Sequence, residues 1–178
     1  MKKGDALLSI RSSDPELLKG QDPDSIATVE KTARSEFKPR IKKVLNSEVN
    51  WCVVNIPSRG WASRVFPKLN TEKAVSKLWS AIFAAVRVDK PNAVKLWQKH
   101  LQKLEQRRAY LDSKQYSALH YTAPSTDLTI GLVDNHLWMG GTQDSQNGIT
   151  YVANLPTEEV FTMPHKDRVD GVVRSSKP

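Results

Sequence analysis

The sequence predicts an α/β first part, with strands alternating with helices, followed by an antiparallel β-rich segment. Three observations carry this reading. Between Asp22 and Leu111 the apolar residues recur mainly at spacings of three and four, with the valine-rich run WCVV standing among them. Beyond Ser117 the period changes to two and glycines punctuate the chain. A composition of 39% apolar and 26% charged residues over 178 positions is that of a folded chain, either one sizeable domain or two small ones. The change of character places a boundary near Ser113 to Ser117, dividing the chain into residues 1–114 and 115–178.

DALLSIR, residues 5–11, reads as a short strand, and SSDPELLKG as a turn and one helical turn closed by Gly20. From Asp22 to Lys43 the pattern is helical, with Asp24 or Ser25 as cap and Ile26, Val29, Ala33 and Phe37 on one face until Pro39 disturbs it. VNWCVVNIP is a continuous apolar run bounded by asparagine and proline, the pattern of a strand buried on both faces. GWASRVFP reads as a loop and helical turn in which Trp61 and Phe66 anchor the core. Asn70 or Thr71 caps a helix whose stripe is Val75, Leu78, Trp79, Ile82, Phe83 and Val86, closed by Asp89 and Pro91. A second helix follows with Val94, Trp97, Leu101, Leu104 and Leu111 inside and lysines and arginines on its other faces. Leu128, Ile130 and Leu132 then alternate with Thr129 and Gly131, Asp134-Asn135 marks a turn, and HLWMGG and GITYVANLP follow as further β-rich pieces.

The net charge of +8 raises the question of a nucleic-acid partner. The charge is concentrated: 19 of the 27 Lys and Arg fall between Lys31 and Lys114, against six acidic residues there, so the middle is a basic, helix-rich layer. The five tryptophans and four tyrosines sit mostly at core spacings or in strands rather than as an exposed stacking series. A solvated outer face explains the basic helix better than a nucleic-acid module. The single Cys52, inside an apolar run, permits no disulfide framework and reads as a small buried hydrophobe. Ser9 and Arg11 interrupt the first apolar run, which fails as a signal peptide, and no stretch approaches a membrane span. A cytoplasmic location is expected.

The segment NLPTEEVFTMPHKDRVDG, Asn154 to Gly171, places two adjacent carboxylates after a proline. In an extended chain successive side chains point to opposite faces, so Glu158 and Glu159 cannot enter one pocket in the same way. One can serve a site while the other is solvated or braces a neighbour. Pro156 suits a strand end, and a carboxylate there could be a metal ligand, a general base or an anchor for an ammonium group. A surface pair beside the basic region is the competing reading, and the residues alone favour it, because a Glu-Glu dipeptide is common and no histidine lies at a tight ligand spacing such as H-E-x-x-H.

NLPTEEVFT, followed by PHKDRVDG and the terminal SSKP, resembles the signature segment of the thermophilic-type metallo-aminopeptidases, the aminopeptidase T and aminopeptidase S family. GWASRVFP, KLWSAIFAAVRVD, LHYTAPSTDLTIGL and the Gly140-Gly141 pair agree with it in order, so the resemblance runs through nearly the whole chain. It implies an exopeptidase acting on peptides with a free N-terminus, through two divalent ions (zinc, cobalt or magnesium) held in the C-terminal part of a two-part molecule. Residues 115–178 would then begin the metal-binding catalytic domain, and one of Glu158 and Glu159 would be a metal ligand. Two such ions can share and activate a water and stabilise the oxyanion of amide hydrolysis.

The resemblance also implies incompleteness. Family members begin before Met1 and continue well beyond Pro178, and their other ligands (a glutamate, two histidines and an aspartate), a catalytic glutamate and an active-site tyrosine belong to the downstream part. No catalytic residue is therefore expected in this chain, which would be inactive alone; a homodimer is expected at full length, and a tendency to self-associate with it. His100, His120 and His136 read as structural or exposed, His165 as a poor second ligand, and Asp167 and Asp170 as turn residues before Gly171. The alternatives are a non-catalytic self-association or interaction remnant and, further off, a basic nucleic-acid-binding module.

Overall fold

Hydrogen bonding in the computed structural model, which describes residue 2 and residues 4–175, groups the strands into two three-stranded sheets and a hairpin. The elements run β1 (Ala6–Arg11), α1 (Pro23–Glu36), α2 (Lys38–Leu45), β2 (Asn50–Asn55), α3 (Arg59–Val65), α4 (Thr71–Ala85), α5 (Ala93–Lys114), β3 (Ala118–Ala123), β4 (Thr126–Leu132), β5 (Thr142–Asp144), β6 (Thr150–Val152), β7 (Asn154–Leu155) and β8 (Pro164–Val172). Mixed α/β structure with a parallel sheet first and antiparallel pairing later is the class the sequence indicates. The terminal SSKP motif lies outside the described residues apart from Ser175.

The chain divides into two compact units that interleave in sequence: Met1–Gln98 with Thr142–Thr157, and Lys99–Gly141 with Glu158–Pro178. In the first, the parallel sheet has the order β1-β2-β7, with β2 central. The valine run thus forms the middle strand, but it is half-buried rather than buried on both faces, because cover over the sheet is partial. Only Val49, just before it, is fully enclosed. β7 adds a finding the sequence pattern did not contain: Asn154 and Leu155, far along the chain, pair parallel with Val53 and Val54. The β5–β6 hairpin is fastened to this unit where Gln146 donates from its backbone N–H to Ser47 and from its side chain to Asn46.

The helical core of the first unit is built from small residues. Ala62 of α3 and Ala74 of α4 have no accessible surface and let the helices approach, with Leu78 between them and Trp61, Phe66, Val75 and Ile82 packed around. Trp61 and Phe66 are core anchors, as their spacing indicates. Ser58 and Asn70 cap α3 and α4 by accepting from the backbone N–H of Trp61 and Lys73. The single helix expected over residues 22–43 is instead α1 and α2, broken at Phe37, with Pro39 in the first turn of the second. Proline has no N–H to give, so it is tolerated where a new helix starts and not where an old one continues. The cap of α1 is Asp22, which accepts from Ser25, and neither Asp24 nor Ser25 itself. Residues 15–20 form turns without a helix.

In the second unit the order is β3-β4-β8, antiparallel throughout. β4 alternates as its sequence does, with Leu128 and Ile130 half-buried and Thr129 exposed, and Leu132 is buried at its end. A register shift between Ile130 and Leu132 is stabilised by Arg168, whose guanidinium donates to the carbonyls of Leu132 and Ser117. Asp167 and Asp170 lie within β8 rather than in a turn. Gly171 explains how: at φ +121° opposite Leu128, it brings the strand so close that a Cβ would collide with the carbonyl oxygen of Asp127. Leu104 of α5, fully buried, packs against Gly141, and Asp112 accepts from the backbone N–H of Trp138 at 2.8 Å.

Candidate functional site: the paired glutamates

β7 ends at Leu155 and β8 begins at Pro164, so Glu158 and Glu159 sit in an irregular segment and not on a strand end. Order comes from the neighbouring hydrogen bonds. Met139 and Phe161 exchange a reciprocal pair at 2.8 and 2.9 Å, and the Thr162 hydroxyl donates to Leu137 at 2.7 Å. Gly140, at φ +137°, lies against the Glu159 carbonyl so closely that a Cβ would strike it. Together these contacts hold the backbone of the second glutamate against residues 137–140.

Both glutamates are solvent-exposed, but their carboxylates have different company. His100 Nε2 of α5 stands 3.4 Å from Glu158 Oε2, with the His100 side chain only 15% exposed and that of Glu158 49%. Among the described residues the Glu159 carboxylate forms no hydrogen bond or ion pair.

His100, read from the sequence as structural or exposed rather than a ligand, is half-buried on α5, and its contact with Glu158 is what the sequence reading did not contain. A signal was present. It is three residues after Trp97 and four before Leu104, which puts it on the apolar face of α5 and not the basic one. The other histidines have separate roles. His120 pairs with Asp127 at 2.6 Å across β3 and β4. His136, buried, contacts the Val133 carbonyl through Nδ1 and meets Trp138 edge-on. His165 accepts from the Asp167 backbone N–H.

Carboxylate oxygens are the donors that hard divalent cations take, so Glu158 and Glu159 suit a metal by chemistry. By number they do not: among the described residues no group of three or more His, Cys, Asp or Glu could hold an ion. The residues present fit part of a metal centre and not a whole one. A cleft of about 480 Å³ beside Val160, lined by Lys103, Gln106, Arg107, Tyr110 and Leu111, adjoins the pair along the chain. A larger cleft, about 1020 Å³, lies in the first unit between α3 and α4 and contains neither Glu158 nor Glu159. Size alone would therefore misdirect the search for chemistry.

Cys52 shows no sign of activation. Burial pushes its thiol up from the ordinary cysteine value, the opposite of what a nucleophile needs. Among the described residues no helix is long and apolar enough to cross a membrane.

Comparison with known proteins agrees with the motif reading. Aminopeptidase T of Thermus thermophilus is 41% identical over 177 residues, and aminopeptidase AmpS of Bacillus subtilis 45% identical over 177 residues; each comparison covers 99% of this chain. The solved structure of wild-type AmpT from Thermus thermophilus superposes with a TM-score of 0.87 at 42% identity over 98% of this chain. The chain spans 43% of the length of each of these relatives. The thermophilic metalloprotease (M29) family matches residues 1–178, and with the NLPTEEVFT segment, the shared fold and these identities, the chain belongs to that family.

Proposed function

We propose that this chain is part of a metal-dependent aminopeptidase, a hydrolase that removes N-terminal residues from peptides with a free amine, working through a dinuclear centre of zinc, cobalt or magnesium ions. One of Glu158 and Glu159 supplies a ligand, and the chain by itself holds no complete site. Residues 1–114 form part of an α/β first domain and residues 115–178 begin the metal-binding catalytic domain. The full-length protein is a cytoplasmic homodimer. The observation that carries this reading is the exposed glutamate pair, held by the Met139–Phe161 hydrogen bonds within a chain whose relatives are named aminopeptidases. Divalent ions supply Lewis acidity for amide hydrolysis.

The test is hydrolysis of amino-acid anilides and short peptides by the purified 178-residue chain with Zn²⁺, Co²⁺ or Mg²⁺. Release no greater than the metal-only control is expected, because one or two carboxylates do not hold a dinuclear centre. Robust metal-dependent release, abolished by Glu158→Gln or Glu159→Gln, would overturn the partial-site reading. A second reading, an interaction remnant, is favoured by one feature: β1 is an edge strand whose Leu8 and Ile10 are 61% and 60% exposed.

A further inference from the structure

We propose that the cleft on α5 beside Val160 is a binding site for the carboxylate of a peptide, with Lys103 and Arg107 as the groups that meet its charge. This rests on the reading that the chain belongs to a peptide hydrolase, and it adds a class of substrate: short peptides that bring an anion to this face. The argument starts from the order of residues along the helix. Lys103, Arg107, Tyr110 and Lys114 recur at spacings of four, three and four, so they stand on one face of α5. Lys103, Arg107 and Tyr110 line the cleft with Gln106, while Leu111 and Val160, both half-buried, give it an apolar part. The lining thus supplies two cations, an amide and a phenol, and no acid.

A basic helix face is ordinarily solvated, and what separates this one is that the acids near it are engaged elsewhere. Glu105 pairs with Arg108 at 2.6 Å, and Asp112 accepts from the backbone N–H of Trp138. Among the described residues neither the Lys103 nor the Arg107 side chain forms a hydrogen bond or ion pair. Tyr110 is held on two sides, by the Lys114 ammonium 5.2 Å from its ring centroid and by a hydrogen bond with Tyr116. Two like charges one turn apart repel, and an anion between them relieves the repulsion. Arginine's planar fork matches a carboxylate, and lysine adds a point charge. The apolar part decides which anion. Inorganic phosphate or a nucleic-acid backbone has nothing to set against Leu111 and Val160, whereas a peptide carries aliphatic groups next to its carboxylate.

The experiment is NMR of the ¹⁵N-labelled 178-residue chain at low salt, followed at the backbone amides of Leu111 and Val160. The probes are trialanine, trialanine amide, Ala-Ala-Glu amide and Ala-Ala-Gln amide. A carboxylate-bearing peptide should shift both amides and bind about fivefold more tightly than its neutral counterpart, because each exposed ion pair contributes a factor of a few. Lys103→Gln and Arg107→Gln, both on an exposed face, should each reduce that difference, and the double variant should abolish it while leaving the neutral peptides unaffected. Lys166→Gln removes a charge from β8, outside the cleft, and should change nothing. The two pairs of peptides separate the sources of the carboxylate. Trialanine ahead of its amide assigns the C-terminus, Ala-Ala-Glu amide ahead of Ala-Ala-Gln amide assigns an acidic side chain, and either supports the site.

Equal binding within both pairs would overturn the proposal, as would an undiminished difference in the double variant. An equal loss in Lys166→Gln would overturn it too, since the attraction would then be to the net charge of the chain and not to the cleft. Acetate and inorganic phosphate complete the set: either one shifting Leu111 and Val160 as strongly as the acidic peptides at equal concentration would overturn the assignment to a peptide. The readout is binding alone, so it stands or falls apart from the hydrolysis that tests the aminopeptidase reading.

Discussion

Leu104 is a single side chain on which much of the second unit depends. It has no accessible surface, and its neighbour Gly141 offers no side chain that could fill a gap. Leu104→Ala should cost about 2–5 kcal/mol, transfer and cavity terms together, read as a lower urea midpoint. At this scale the sequence was informative where a residue's role is local. Asn70 announces its helix, and Trp61 and Phe66 announce a core through their spacing. It was less informative where a role depends on a partner far along the chain. Glu158 could be singled out by its motif, but its contact with His100 joins positions 58 residues apart, and periodicity describes only what a helix turns inward. The same limit hid Arg168, whose guanidinium serves carbonyls at Ser117 and Leu132.

Elements were legible wherever one period runs uninterrupted. α4 and α5 follow their stripes, although Phe83 and Val94, both on those stripes, are 43% and 74% exposed. The errors fall at ends and breaks, where competing local bonds decide. Phe37 ends α1 because Pro39 cannot continue its ladder, and Asp22 wins the cap because its carboxylate reaches Ser25. Asn70→Ala removes the cap bond to Lys73 and should cost about 1 kcal/mol, measured by denaturant unfolding.

The cap of α1 also carries a pH dependence. Hydrogen bonds from the Ser25 hydroxyl and backbone lower the Asp22 pKa from its ordinary value. The folded form therefore holds this proton less tightly than the unfolded one. The cap's contribution is fully present above the ordinary aspartate range and is lost as pH falls through the lowered value. Helicity followed by circular dichroism should decline on acidification in that window, and Asp22→Asn, which caps without ionising, should flatten that part of the decline.

For the whole molecule, composition and the alternation of patterns sufficed for the mixed α/β class, and the NLPTEEVFT motif sufficed for the family. All five tryptophans are buried or half-buried, which agrees with core spacing and not with a stacking surface for bases. What the patterns could not contain is the interleaving of the two units, because β7 is only two residues long and carries no period of its own. The exposed apolar edge of β1 bears on assembly. If the chain self-associates through a defined surface, light scattering of the purified protein should show a discrete dimer; a broad, concentration-driven distribution would point to unspecific strand-edge pairing instead.

The parallel pairing of β7 with β2 has a consequence in time. Val53 and Asn154 are about 100 residues apart, and no local turn can bring them together early. At about 5–20 residues per second, a ribosome needs roughly 5–20 seconds to deliver the third strand after the second has been made. Throughout that interval β2 has an open edge and WCVV lies available to any other extended chain. A nascent polypeptide of this sequence is therefore most exposed to misassociation between the synthesis of β2 and that of β7, and a chaperone that covers the growing chain would matter most there.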